Sequence, residues 1–189
     1  FRKGDMQDRQ YRAKVGLLGL DFSAEGPFKK GRSSYLVNYR YSTLGLLNNF
    51  GFYLVGERVS NNFQDLSFNL AFDGKDGKSF ITVFGMAGLS LEHYEPVADP
   101  LEREPGVGNN WEDRYRTSNM TASGMTYTRR FNSKSFLKWT VAAMASNIHY
   151  VYDTLDLQDV PFRYNDEQYL DQRITTSLSY TNKISPRTR

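Results

Sequence analysis

Residues 34–43 carry the feature that most constrains the fold, a side-chain alternation with a period of two residues. Apolar and aromatic residues hold the odd positions and polar residues the even ones, with Leu36 as the exception; the two sets are Tyr35, Val37, Tyr39, Tyr41 and Thr43, against Ser34, Asn38, Arg40 and Ser42. This period is typical of a β-strand whose two faces meet different environments. A half-buried strand of a soluble sheet fits it, and so does a strand of a membrane barrel, with lipid on one face and water on the other.

The composition of the whole chain narrows the class of protein. With 189 residues, the chain is long enough for one all-β domain with a sizeable core. Only 39% of the residues are hydrophobic and no apolar run reaches the length of about 18 residues that a membrane helix needs. The 24 basic and 21 acidic residues are dispersed along the chain, which argues against nucleic-acid binding. The absence of Cys excludes disulfides, thiolate metal sites and Cys nucleophiles, and suits a bacterial envelope protein.

Hydrophobic periodicity predicts seven strands, at about residues 11–26, 34–46, 63–73, 79–94, 115–131, 135–153 and 169–182. Their connections alternate in length, with short turns near 27–33, 74–78 and 132–134 and long loops at 47–62, 95–114 and 154–168. An outer-membrane barrel has this rhythm of short periplasmic turns and long extracellular loops, whereas a sandwich has no reason for it. The sequence therefore predicts an all-β fold, an antiparallel transmembrane β-barrel segment.

An odd number of strands suggests an incomplete barrel, because single-chain bacterial barrels close with even numbers. An open edge in lipid would leave unpaired N–H and C=O groups, each costing several kcal/mol. The first five residues, FRKGD, lack the apolar core of a signal peptide. We therefore expect residues 1–189 to be a single barrel segment without plug or signal peptide, part of a larger barrel. The alternative is a complete eight-stranded barrel with one strand hidden, for example in residues 1–10.

Three runs in the first third of the chain resemble one protein family. They are VGLLGLD at 15–21, AEGPF at 24–28 and SYLVNYRYSTL at 34–44, and DLSF at 65–68 fits the same region. Together they resemble TonB-dependent outer-membrane receptors, and more narrowly the subgroup with a carboxypeptidase-regulatory-like domain before the plug. The resemblance is specific over residues 11–73 and is only a general strand rhythm from 79 to 189.

The resemblance implies a barrel of about 22 strands around an internal plug, in the outer membrane of a Gram-negative bacterium. It implies nutrient uptake energised by the TonB complex, through parts of the protein outside this chain. The expected partners are outer-membrane lipid, the plug and the remaining strands, with a surface lipoprotein left open and nucleic acid excluded. The substrate does not follow from the resemblance.

Two sets of residues are candidates for contact with a substrate or with the lumen. Aromatic residues near the predicted loop ends could form a stacking platform, although membrane-interface positions explain some of them equally well; they are Tyr94, Trp111, Tyr115, Tyr150, Tyr152, Phe162 and Tyr164. The strand parity predicts lumen-facing side chains at Asp21, Glu25, Asn38, Arg40, Lys138 and Arg173. We expect their charges to pair with one another or with the plug, because an unpaired desolvated charge is costly.

The sequence predicts no enzyme, cofactor or metal site. His93 and His149 both lie near the loop end and could meet across the rim, but solvated rim positions are the simpler interpretation. The acidic residues of 153–171 lack the spacing of a calcium loop. No motif combines a nucleophile, a base and an orienting group. Two other functions remain as alternatives: a small outer-membrane barrel acting as an adhesin or enzyme, and a soluble glycan-binding β-sandwich.

Overall fold

Eight antiparallel strands form one sheet, in sequence order, in the computed structural model, which describes residues 2–53, 56, 58–104 and 108–183. The side chains of residues 46, 49, 108 and 109 are outside that description. The strands are β1 (Gln10–Gly16), β2 (Gly19–Lys29), β3 (Ser33–Tyr41), β4 (Val59–Asp73), β5 (Ser79–Tyr94), β6 (Glu112–Arg130), β7 (Ser135–Leu155) and β8 (Pro161–Asn182). Helix α1 (Leu44–Asn49), a 3₁₀ helix (Pro100–Glu102) and α2 (Gly108–Trp111) lie in the connections. Within the described residues β1 and β8 do not pair, so the sheet is open.

The all-β, antiparallel prediction is confirmed, but the prediction of seven strands is wrong. The stretch predicted as one strand at 11–26 contains a tight turn at Leu17 and Leu18, where Gly16 pairs with Gly19 and β1 folds back on β2. Both leucines are exposed. Because two apolar residues continue the apparent alternation, they concealed the turn, and the flanking glycines were its only signal. The alternative of an eighth, hidden strand is right in number, but that strand is β1 at Gln10–Gly16 and the described sheet is not closed.

The connections at the end of the sheet that carries residues 42–58 are less uniform than predicted. This end, called the loop end, also holds residues 17–18, 95–104, 108–111 and 156–160. The connections at 17–18 and 156–160 are short. The predicted loop at 154–168 is wrong because β8 begins at Pro161 and pairs with β7 through a bulge at Tyr152 and Asp153. The predicted strand to residue 46 ends at Tyr41, where Ser42 Oγ accepts a hydrogen bond from the Leu44 N–H at the start of α1. The opposite end, called the hairpin end, has only short turns.

Cross-strand pairing sorts the side chains onto two different faces. One, called the apolar face, carries Phe22, Tyr39, Leu66, Phe68, Leu70, Ile81, Val83, Leu89, Trp139, Val141, Ile174 and Leu178. The other, called the polar face, carries Asp21, Glu25, Asn38, Arg40, Asp65, Ser67, Asn69, Thr126, Thr140, Arg173 and Ser177. The apolar face is uncovered: Ile174 is 79% exposed and Leu178 is 68% exposed. The only buried hydrophobic residues in the described part of the chain are Leu36, Leu44 and Ala71.

Residues 2–9 lie against the polar face near the hairpin end and explain the exceptional position of Leu36. The guanidinium of Arg2 donates to both carboxylate oxygens of the buried Glu25, at 2.6 and 2.7 Å. The Gly31 N–H donates to the Met6 carbonyl at 2.8 Å. A Cβ on Gly4 would lie 2.1 Å from the Tyr35 carbonyl oxygen, so only glycine allows this approach. Leu36 is buried beneath this cover, although it points to the polar face.

The β4–β5 hairpin depends on Asp76, which predicts a pH-dependent stability. Its carboxylate accepts from the backbone N–H groups of Lys78 and Ser79, at 2.9 and 3.0 Å, and also from Arg129. These hydrogen bonds, that of Lys78 first, hold the pKa of Asp76 well below its ordinary value. Since the pKa is lowered by folding, the stabilisation is present above the ordinary carboxyl pKa of about 4 and is lost as pH falls through the folded-state value.

We expect Asp76→Asn to destabilise the protein at pH 6 and to have little effect at the acid end of a titration. Urea unfolding of the protein, followed from pH 6 downwards, measures this difference. Asp171→Asn is the matched control, because Asp171 is exposed and makes no ion pair within the described part of the chain. A stability difference that does not shrink on acidification would contradict the role of the Asp76 carboxylate.

Candidate ligand-binding surface

Tyrosines and arginines alternate across the polar face at the loop end. One cross-strand row contains Tyr94, Arg114 and Tyr152, and the next contains Glu92, Arg116, Tyr150 and Glu167, with Tyr169 one row further from the loops. The row structure follows from antiparallel register, which places directly paired side chains on the same face. This set is called the mouth surface; its aromatic and basic members are Tyr94, Arg114, Arg116, Tyr150, Tyr152 and Tyr169.

Stacking contacts hold the members of the mouth surface in place. The Arg114 guanidinium lies 5.5 Å from the centre of the Tyr152 ring, and that of Arg116 lies 5.4 Å from the centre of the Tyr150 ring. Tyr150 also contacts Tyr152 at 6.2 Å and meets Tyr169 edge-on at 6.3 Å. Each cation–π contact at an exposed site contributes about 0.5–1 kcal/mol. Tyr150 is therefore the centre of a preorganised cluster.

Carboxylates accept hydrogen bonds from two of the four tyrosine hydroxyls of this surface. Tyr94 donates to Glu92 Oε1 at 3.0 Å, and Tyr169 donates to Glu167 Oε2 at 2.6 Å. The hydrogen bond to Glu92, with burial as a smaller cause, raises the pKa of Tyr94 above its ordinary value, so that its hydroxyl keeps its proton. Arg116 completes the pattern with an ion pair to Glu92 at 3.8 Å.

A cavity of about 450 Å³ opens beside Tyr94 and Arg114 and is also lined by Gly56, Arg58, Val59, Glu95 and Glu112. Flat aromatic faces, guanidinium donors and carboxylate acceptors together suit a polar ligand with ring faces to stack and hydroxyl or amide groups to bind. A sugar ring has both features, and so does a peptide with an aromatic side chain. The arrangement can bind and orient a ligand, and it contains no nucleophile paired with a base.

The structure places the aromatic residues predicted from the sequence at several different sites, and only some of them belong to the mouth surface. Tyr94, Tyr150 and Tyr152 belong to the mouth surface, and Phe162 shares its face but lies closer to the loop. Tyr164 stands at the β8 bulge and is 75% exposed. Tyr115 lies on the opposite face, stacked on His93 at 4.0 Å. The sequence interpretation missed Arg114, Arg116 and Tyr169. The only signal for the two arginines was their spacing of two residues in RYR at 114–116.

Trp111 takes part in a contact between two loops. The Arg103 guanidinium stacks on the Trp111 ring at 5.4 Å, donates to the Val97 carbonyl at 2.8 Å and pairs with Asp159 at 2.7 Å. The Trp111 indole N–H donates to the Glu104 carbonyl at 3.2 Å. Arg103, whose side chain is only 2% exposed, thereby joins the connection between β5 and β6 to residues 156–160. We call this contact the loop clamp.

The six side chains predicted to face a lumen all lie on the polar face. Lys14, Asp21, Arg40 and Asp65 form a cross-strand row of alternating charge, in which Arg40 Nε donates to Asp65 at 2.8 Å. Asn38 donates to Ser67 at 3.4 Å, and a cavity of about 420 Å³ lies along these strands. Lys138 and Arg173 form no ion pair with any residue that the structure describes. That these six side chains face a lumen stays a prediction.

The two histidines bind different carboxylates. His93 Nε2 lies 2.6 Å from Asp113 Oδ1, and His149 Nε2 lies 2.7 Å from Asp166 Oδ1. Arg163 pairs with both Asp153 and Asp166, so part of the acidic stretch 153–171 is neutralised across the β7–β8 ladder. Over the described ranges, no three His, Asp or Glu side chains are grouped in a way that could hold a metal ion.

Comparisons with protein-family models, with curated proteins and with solved structures found no match for this chain. The resemblance to TonB-dependent receptors therefore stays a prediction. None of the helices in the described part of the chain has both the length and the apolar character required to cross a membrane.

Proposed function

We propose that this chain is part of the barrel wall of a TonB-dependent outer-membrane transporter that takes up a nutrient. The observation that carries the proposal is the uncovered apolar face of a single-layer sheet. A soluble sheet would bury such a face against a second layer, because each large apolar side chain left in water forgoes about 1.5–3 kcal/mol. Contact with lipid satisfies the same face, while the charged polar face meets water in the lumen.

An aromatic belt on the apolar face near the hairpin end supports a position in a membrane. Phe28 stacks parallel to Phe72 at 6.0 Å and contacts Tyr35 at 5.2 Å. Phe131 contacts Tyr180 at 6.4 Å, and Trp139 lies between Tyr127 and Leu178 in the same belt. Aromatic side chains gather at this level in membrane barrels because their rings suit the boundary between hydrocarbon and headgroups.

The open edges of the sheet favour a wall segment over a complete small barrel. Strand β8 is exposed along almost its whole length, and its backbone groups on one side have no partner strand among the described residues. In lipid such an edge would be too costly to persist, so the proposal requires further strands beside β1 and β8. In the transporter, the mouth surface captures the ligand, which then passes along the polar face when the plug moves. The TonB complex supplies the energy through parts of the protein outside this chain.

Cysteine labelling tests the topology, since the chain has no Cys of its own. We expect Leu157→Cys, at the loop end, to react with a membrane-impermeant maleimide on intact cells, and Ser133→Cys, at the hairpin end, to react only after permeabilisation. The neighbours Arg173→Cys and Ile174→Cys form a matched pair, one facing the lumen and the other lipid. The full-length protein, without other cysteines, is used in the outer membrane of a Gram-negative host.

Two results would overturn the proposal. Equal labelling at residues 173 and 174 would mean that water reaches both faces, and a protein that stays soluble and monomeric without detergent would favour the glycan-binding sandwich. A second test addresses transport: uptake of the nutrient should stop when the energy-coupling complex is removed. Retained uptake in that strain would contradict the TonB-dependent mechanism.

A further inference from the structure

The charges of the sheet are separated along the strand direction. At the hairpin end the basic residues are Lys29, Lys30, Arg32, Lys75, Lys78, Arg129, Arg130, Lys134 and Lys183. The loop end holds five arginines, at 58, 103, 114, 116 and 163, against the more numerous acidic residues Glu92, Glu95, Asp99, Glu102, Glu104, Glu112, Asp113, Asp153, Asp156, Asp159, Asp166 and Glu167. The two ends of the sheet therefore have opposite net charge.

Most of the positive charge at the hairpin end is not neutralised internally. The two strand-end carboxylates there are already used, since Asp73 pairs with Lys3 at 3.2 Å and Asp76 pairs with Arg129. Asp5, in the segment over the polar face, binds the N–H groups of Gln7 and Asp8. Arg130 stacks on the Phe80 ring at 4.7 Å. The other seven cations form no ion pair within the described residues; we call them the basic rim, Lys29, Lys30, Arg32, Lys75, Lys78, Lys134 and Lys183.

The basic rim lies directly beside the aromatic belt. Lys29 follows Phe28 at the end of β2, Lys134 stands three residues beyond Phe131, and Lys183 stands three residues beyond Tyr180. All rim lysines are exposed. Aromatic rings at the hydrocarbon boundary with lysines just outside them are typical of a headgroup layer, because the lysine stem remains near apolar surface while its ammonium reaches the phosphates.

From this juxtaposition we infer that the basic rim binds the phosphate groups of anionic phospholipids in the membrane leaflet at the hairpin end. The inference rests on the proposed membrane location and adds a partner to it. The rim spreads over three turns and the end of β8 instead of converging on a cavity, which matches a planar array of phosphates better than one bound ion. Its members are mainly lysines, which act as hydrated point charges and suit mobile headgroups.

Lipid retention measured by native mass spectrometry tests the inference on the full-length protein. The probes are phosphatidylglycerol and phosphatidylcholine with the same acyl chains, added to protein in a non-ionic detergent. We expect wild type to retain phosphatidylglycerol preferentially, and the preference to fall with salt. In the triple variant Lys75→Gln/Lys78→Gln/Lys134→Gln we expect the preference to fall between about fivefold and about 100-fold, since each lysine near an anionic surface contributes about fivefold.

The control Arg58→Gln/Arg163→Gln/Arg173→Gln removes the same charge away from the hairpin end, and it should keep the wild-type preference. Equal retention of the two lipids by wild type, an equal loss in the control, or a stronger preference for lipid A would each overturn the inference. So would specific capture of an acidic peptide by the rim in place of phosphatidylglycerol. The salt dependence is measured on wild type, so the inference remains testable if the triple variant does not fold. Labelling at residues 173 and 174 reports membrane location independently, so failure of the proposed function is distinguishable from failure of lipid binding.

Discussion

Replacing Arg103 by methionine is expected to release two loops at once. The guanidinium holds the Val97 carbonyl on its own loop and Asp159 on the next, and its side chain is almost fully buried. Methionine fills similar space but leaves the Val97 carbonyl without a hydrogen-bond donor, which costs about 2 kcal/mol of free energy. Amide exchange in residues 96–104 and 156–160 should therefore become about thirtyfold faster.

The control for this experiment is Leu101→Ala, on the same loop as Arg103. Leu101 is exposed, so its loss should leave exchange in both loops close to wild type. If Arg103→Met accelerates exchange only in residues 96–104, then the contact with Asp159 does not couple the loops. Exchange in the β5–β6 ladder serves as an internal reference, because its register does not depend on the clamp.

Replacing Tyr150 by alanine is expected to produce the largest loss of ligand binding. Tyr150 contacts Tyr152, Tyr169 and Arg116, so its removal leaves three neighbours without their common support. Truncating a central residue of a binding surface typically costs about 2 kcal/mol or more. Uptake at subsaturating nutrient should therefore fall about thirtyfold in cells producing the full-length variant.

Tyr164→Ala is the matched control for Tyr150→Ala. Both positions were candidates from the sequence, but Tyr164 stands exposed at the β8 bulge and forms no ring contact in the described part of the chain. An equal loss of uptake in the two variants would show that the mouth surface has no special role. A double-mutant cycle between Tyr150 and Arg116 measures their coupling free energy in ligand binding. If stacking orients the guanidinium, the double variant should lose less binding than the sum of the two single losses.

Local pattern predicted much of the sheet. Strand β5 has the predicted bounds, and the predicted hairpin turn at 74–78 is confirmed, because alternation there is regular and Asp-Gly marks the turn. The sequence prediction was wrong where local pattern conflicts with pairing. The apolar pair at 17–18 has the pattern of a strand but forms a turn. The acidic start of β8 has the composition of a loop but forms a strand, in which Arg163 binds Asp153 across the ladder.

The mouth surface was only partly predictable, because it consists of cross-strand neighbours. Parity placed Tyr150 and Tyr152 on one face, but no local signal in one strand specifies which residue of the next strand lies opposite. The register that pairs Arg116 with Tyr150 runs unbroken from the short turn at 131–134, so it depends on the exact geometry of that turn, which the local pattern did not specify. Residues 2–9 illustrate the same limit, since their lack of periodicity gave no indication that they would cover Leu36.

Among the residues that the structure describes, the two unpaired edges of the sheet differ in length, which gives strand addition a preferred direction. An added strand can pair with 22 residues of β8 but with only 7 residues of β1. Because each further backbone hydrogen bond lowers the free energy of a partly formed ladder, templated growth from β8 has the larger driving force. If strand addition stopped at this point, the β8 edge would also be the one that pairs most readily with strands of other proteins. If the chain is part of a barrel wall, as proposed, assembly would advance from the β8 side, and errors in assembly would begin there.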